Sequence, residues 1–106
     1  MPQYLYQIQP TRLEMLTEGP TEQETETLAG HVAYLEDLAA RGVVLLAGRT
    51  QTANPDTFGI VIFEAEDDST ANAVMAADPA VADGVMRAKL FPYRVAVSSL
   101  SGGSSS

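Results

Sequence analysis

The order of hydrophobic patterns predicts an α+β protein of ferredoxin-like βαββαβ build, with an antiparallel sheet and its helices on one face. Three observations carry this. Apolar residues alternate near the start of the chain and run together in two central segments, and a last extended stretch follows near its end. Two stretches of helical spacing separate these strand patterns. The resulting order is strand, helix, strand, strand, helix, strand.

Tyr4, Tyr6 and Ile8 fall on one side of an alternating run from Gln3 to Gln9, which reads as the first strand, ended by Pro10. Thr11 to Thr17 is expected to be irregular or extended, and Gly19-Pro20 breaks the chain. Thr21 followed by Glu24 has the form of a capping box, and Glu22, Glu24 and Glu26 suit the positive end of a helix dipole. Leu28, Val32, Leu35, Leu38 and Ala39 then recur at helical spacing as one apolar stripe, and Gly42 ends the helix.

Val43 to Ala47 and Phe58 to Phe63 read as two strands of an antiparallel hairpin, joined across the Asn54-Pro55-Asp56 turn. Asp67-Asp68-Ser69 starts a second helix that buries Ala71, Val74 and Met75. Asp78-Pro79 interrupts it, and Pro79 to Asp83 forms a short extra turn closed by Gly84. Val85 to Val97 is the last extended stretch, bent at Pro92. Residues 1–97 are expected to form a single domain and 98–106 a flexible Ser/Gly-rich tail.

Two helices cover one face of such a sheet, yet both central strands are apolar on both faces. A monomer would expose the second face, so a homodimer through the open sheet face is expected.

Composition narrows the function. With 106 residues, 45% of them hydrophobic, the chain can build one modest core. Its formal charge of -8 argues against nucleic acid and anionic membrane surfaces as partners. No segment is apolar enough for a signal sequence or a membrane span, so a cytoplasmic location is expected. There is no cysteine, and the single histidine with scattered carboxylates makes a poor metal-ligand set. No phosphate loop, dinucleotide fingerprint or serine elbow is present. An enzyme built from this chain would work by acid–base chemistry with neither metal nor organic cofactor, on a small-molecule ligand.

His31 is the only histidine and lies on or beside the apolar stripe. It reads either as a general acid or base or as a partly buried structural histidine. Asp78 reads as the cap before Pro79, as a partner that orients His31, or as both, since a cap uses one carboxylate oxygen. Gly48 and Arg49, at the end of the second strand, are candidates for substrate binding, Arg49 for an anionic ligand group, and so is Arg12; each arginine also reads as half of a surface ion pair.

The chain resembles the YCII-related (YciI-like) proteins. The resemblance rests on Gly30-His31 with Tyr34-Leu35 and Leu38, on Gly42 and Leu46-Ala47-Gly48, and on Thr57 to Glu64. It continues in Ala77-Asp78-Pro79-Ala80-Val81, Gly84-Val85 and Phe91-Pro92-Tyr93. It implies a dimeric α+β barrel and a histidine–aspartate dyad, which falls on His31 and Asp78 here. One relative eliminates HCl from a chlorinated hydroxyquinol. The chain departs from the family pattern at Arg49, where many relatives have Pro, at Ala80, where an aromatic is frequent, and at Phe91, where several carry His. The reading that follows is a lyase- or isomerase-type enzyme. Its rival is a non-catalytic module that binds a small ligand or a protein partner. A cofactor-free monooxygenase is supported by fold analogy alone.

Overall fold

The computed structural model describes residues 1–99. Eight elements follow in order: β1 (Gln3–Pro10), α1 (Glu14–Thr17), α2 (Glu22–Ala40), β2 (Val44–Arg49), β3 (Gly59–Glu64), α3 (Asp68–Ala77), α4 (Pro79–Ala82) and β4 (Met86–Tyr93). The strands form one antiparallel sheet in the order β2-β3-β1-β4, the ferredoxin-like arrangement. Of the expected tail, residues 100–106 lie outside the described residues.

Alternation in β1 fixes which face of the sheet is covered. Tyr4, Tyr6 and Ile8 point inward and meet Val61 and Phe63 of β3, Leu38 of α2 and Ala71 of α3 in one core. The Phe63 ring packs edge-on against Tyr6, with centroids 5.7 Å apart. On the other face, register aligns Leu46, Ile62, Leu5 and Phe91 across all four strands. Leu46 and Phe91 in this row are 41% and 36% exposed, so the apolar second face expected from the sequence is present.

Local signals end the helices where expected. The Thr21–Glu24 capping box is complete, and α2 stops at Gly42, whose φ of +77° suits a residue without a Cβ. Asp67 caps α3 through the Thr70 amide, and Gly84, at φ +75°, closes the turn after α4.

Four expectations are corrected. Thr11 to Thr17 is not wholly irregular: Glu14–Thr17 make one helical turn that buries Met15. The second strand begins at Val44 and runs on to Arg49, because Val61, Ile60 and Gly59 of β3 continue to pair with it. The last strand ends at Tyr93 and contains Pro92, which pairs with Tyr4. β4 is an edge strand, where a sheet tolerates proline. Finally, the apolar stripe of α2 is not uniformly core. Leu38 is buried, but Val32 is 51% exposed and Ala39 is also exposed. Thr27, His31, Tyr34 and Leu38 make a second inward-packed face one step round from Leu28, Val32 and Leu35, of which Leu35 also packs against the core.

Helix α2 rests on α4 at Gly30. A Cβ added there would stand 3.6 Å from the Pro79 ring, an ordinary van der Waals distance. The glycine is therefore not required by close approach, and in mid-helix it carries a propensity penalty. Gly30→Ala is expected to raise unfolding stability by about 0.5–1 kcal/mol, read as a higher urea midpoint with an unchanged slope.

Candidate active site

Asp78 is the only fully buried ionisable carboxylate among the described residues, with 0% of its surface exposed. Three elements bring donors to it. Its Oδ1 accepts the Ala80 amide at 3.0 Å, which makes Asp78 the N-cap of α4. The Tyr6 hydroxyl, from β1, donates to Oδ2 at 2.7 Å. His31, from α2, places Nδ1 2.7 Å from Oδ1 and 2.8 Å from Oδ2. The cap and partner readings of Asp78 are thus compatible, because the two oxygens divide the donors between them.

An ionised carboxylate accepts only, so Nδ1 donates in this pair, and in the neutral imidazole that tautomer leaves the lone pair on Nε2. Among the described residues Nε2 has no hydrogen-bond partner, and no buried side-chain nitrogen or oxygen is left unpaired. Nε2 is therefore open to solvent, although the side chain as a whole is only 13% exposed. Burial, and then the Asp78 hydrogen bond, push the Tyr6 phenol well above its ordinary range. Burial, with the Asp78 charge nearby, also raises Tyr34. Both tyrosines stay neutral and act as donors; Tyr34 spends its proton on the Val74 carbonyl at 2.7 Å.

The open side of His31 forms part of a 540 Å³ cleft. The second face of α2, Leu28, Val32 and Leu35, makes one wall, and Met15 and Leu16 of α1 make another. Ile8 and Val61 form the floor, with Phe58 and Arg49 at the β2–β3 end. The volume falls in the range of small-ligand sites, and the mostly apolar lining suits an organic molecule.

The candidate residues separate. His31, Gly48 and Arg49 line this cleft, and Asp78 lies behind His31. Arg12 is not part of the lining: its guanidinium forks onto Glu24 at 2.8 and 3.0 Å and reaches the Gly19 carbonyl. That pairing, with the Thr21 amide, holds the Glu24 carboxyl down at about 2. A Cβ at Gly48 would meet nothing, so the bare backbone there is not forced by packing. Tyr6 was not among the candidates, since its place in β1 reads as core. The available signal was its hydroxyl, which in a fully buried position needs an acceptor. Among the described residues no group of three or more His, Asp or Glu is placed to hold a metal ion, and no helix is long and apolar enough to cross a membrane.

The model of the YCII-related domain matches residues 4–92. No curated protein matches the chain. Among solved structures the chain is similar to a 5-chloro-2-hydroxyhydroquinone dehydrochlorinase, TftG, from Burkholderia phenoliruptrix AC1100, in complex with 2,5-dihydroxybenzoquinone. Identity is 20% and the TM-score 0.61, over 86% of this chain and 93% of that one. It is also similar to the uncharacterized protein TM1266 from Thermotoga maritima, at 11% identity and a TM-score of 0.51, over 87% of this chain and 95% of that one. At these identities the likeness is one of fold, a ferredoxin-like sheet with its helices on one face.

Loss of one donor to a buried carboxylate leaves charge that is poorly solvated. Tyr6→Phe is expected to cost about 1.5–3 kcal/mol of stability in urea unfolding. Tyr4→Phe, whose hydroxyl meets the exposed Asp68, is the control and is expected to cost less. Equal losses would mean that the Tyr6–Asp78 bond has no special weight.

Proposed function

This chain belongs to the YCII-related family, and from that premise we propose a cofactor-independent acid–base enzyme of lyase or isomerase type, with His31 as the proton-transfer group. The domain that carries it is residues 1–97. The supporting observation is an imidazole held at Nδ1 by a buried carboxylate, with Nε2 open to an apolar cleft.

In this reading Nε2 removes a proton from a carbon made acidic by an adjacent carbonyl. The electron pair of the broken C–H bond then forms a double bond. In a lyase it expels a leaving group from the neighbouring carbon, and the products are the alkene and HX. In an isomerase the proton returns to a different carbon. Asp78 fixes the tautomer that leaves Nε2 basic and balances the imidazolium formed in the step. The apolar walls exclude water, which strengthens both effects. Neither a metal nor an organic cofactor takes part. The activity of the structurally similar dehydrochlorinase makes chlorinated hydroquinones the first compounds to test, followed by lactones and β-keto acids.

Turnover of one of these compounds is expected to fall about 10²–10⁴-fold in His31→Ala, with a smaller loss in Asp78→Asn. Turnover indifferent to His31→Ala would overturn the reading. Saturable binding to the cleft with no turnover of any compound would favour the rival, a non-catalytic ligand-binding module.

The same proposal includes a homodimer through the open sheet face. The row Leu46, Ile62, Leu5 and Phe91 is apolar and lies on the side that the helices leave bare. Sedimentation equilibrium at micromolar concentration is expected to give twice the 11.3 kDa chain mass, and Leu5→Lys is expected to halve it. A wild-type monomer would remove the dimer from the reading and leave the His31 chemistry standing.

A further inference from the structure

The basic residues of the chain are mostly spoken for. Arg12 is bound to Glu24, Arg41 to Asp37, and Arg87 to the Pro10 carbonyl and Gln9; Lys89 sits over the Phe91 ring. Arg49 is different. Among the described residues it has no hydrogen-bond or ion-pair partner, in a chain with fourteen Asp and Glu. Arg94 shares that condition but is not part of the cleft lining.

Strand register explains where Arg49 faces. It pairs with Gly59, which pairs with Ile8, and Ile8 points into the helix-covered side. Arg49 therefore belongs to the same side of the sheet as His31, and both line the 540 Å³ cleft. No Asp or Glu is among the lining residues; Thr57 is the remaining polar side chain there, and the rest is aliphatic, aromatic or glycine. An arginine at the rim of an apolar cleft, with no carboxylate in the lining, offers a charge to an anion there, and its planar fork fits a carboxylate or phenolate.

We infer that the cleft takes a small organic monoanion with an apolar body, its charged group on Arg49 and its body between Val32 and Phe58. The inference rests on the reading that this cleft is the functional site, and it names the substrate class. The anionic group fixes one end of the molecule, so that the carbon to be deprotonated is presented to Nε2 of His31 from within the apolar part of the cleft.

The test is binding, which is independent of turnover. Benzoate and its neutral counterpart benzamide are titrated into isotope-labelled protein, and the amide and methyl signals of the cleft are followed by NMR. Benzoate is expected to shift Val32 and Phe58 and to bind about ten-fold more tightly than benzamide. Arg49→Gln is expected to bring benzoate down to the benzamide level, and Arg49→Lys to leave part of the preference. Arg49 is exposed, so these variants are not expected to disturb folding. Equal binding of the two probes, no binding of benzoate, shifts mapping outside the cleft, or a preference that survives Arg49→Gln would each overturn the inference. If the preference holds while turnover proves insensitive to His31→Ala, the acid–base reading fails and the anion site stands.

Discussion

The structure depends on one buried carboxylate. A charge removed from water costs several kcal/mol unless donors replace its hydration, and Asp78 has three of them. They come from the backbone of α4, from β1 and from α2. The same residue ends α3 and begins α4. Four elements are thus tied to two oxygen atoms, and the packing of α2 on the sheet cannot change without leaving that charge exposed to an apolar interior. The bonds that stabilise the fold are also the bonds that orient His31, so site geometry is held by the core and not by a loop.

This constraint divides α2 into two working faces. Thr27 donates to Asp83 beyond α4, and Tyr34 donates to the Val74 carbonyl of α3; between them His31 meets Asp78. These three anchors occupy one stripe, and Leu38 continues it into the core. The neighbouring stripe, Leu28, Val32 and Leu35, is then left to face the cleft. A helix that buried its most apolar stripe would rotate these residues inward and turn His31 away. The polar contacts to Asp78, Asp83 and Val74 oppose that rotation. Exposed Val32 is the visible result, and it supplies the cleft with its wall.

The sequence revealed what is written in local chemistry. Period-two alternation gave β1 and its buried tyrosines, the Thr21–Glu24 box and Gly42 gave the limits of α2, and Asp78-Pro79 gave the start of α4. Signals that depend on tertiary structure were absent. A four-residue helix such as Glu14–Thr17 is too short to show a period, and it is fixed by Met15 reaching the core. Pro92 reads as a bend until β4 is known to be an edge. His31 and Asp78 are 47 positions apart, and no spacing rule connects them. Their candidacy came from residue type and family resemblance, and their contact came from the fold. The division of α2 into faces was hidden for a related reason: hydrophobic spacing shows which stripe is apolar, not which stripe the polar anchors will pull inward.

Bulk charge and site charge also have to be kept apart. A formal charge of -8 opposes polyanions, which need many cationic contacts over a broad surface. It says little about a single small anion. At physiological ionic strength, charges more than about 8 Å away across solvent are largely screened. A ligand in the cleft therefore responds mainly to the groups that line it. Those are one guanidinium without a counter-charge and one imidazole whose own carboxylate is sealed behind it by Tyr6 and Ala80. A net charge of that sign disfavours polyanionic partners such as nucleic acid. Arg49 lies at the end of β2 paired with Gly59, and no Asp or Glu lines the cleft, so the lining carries a formal charge opposite in sign to that of the chain as a whole.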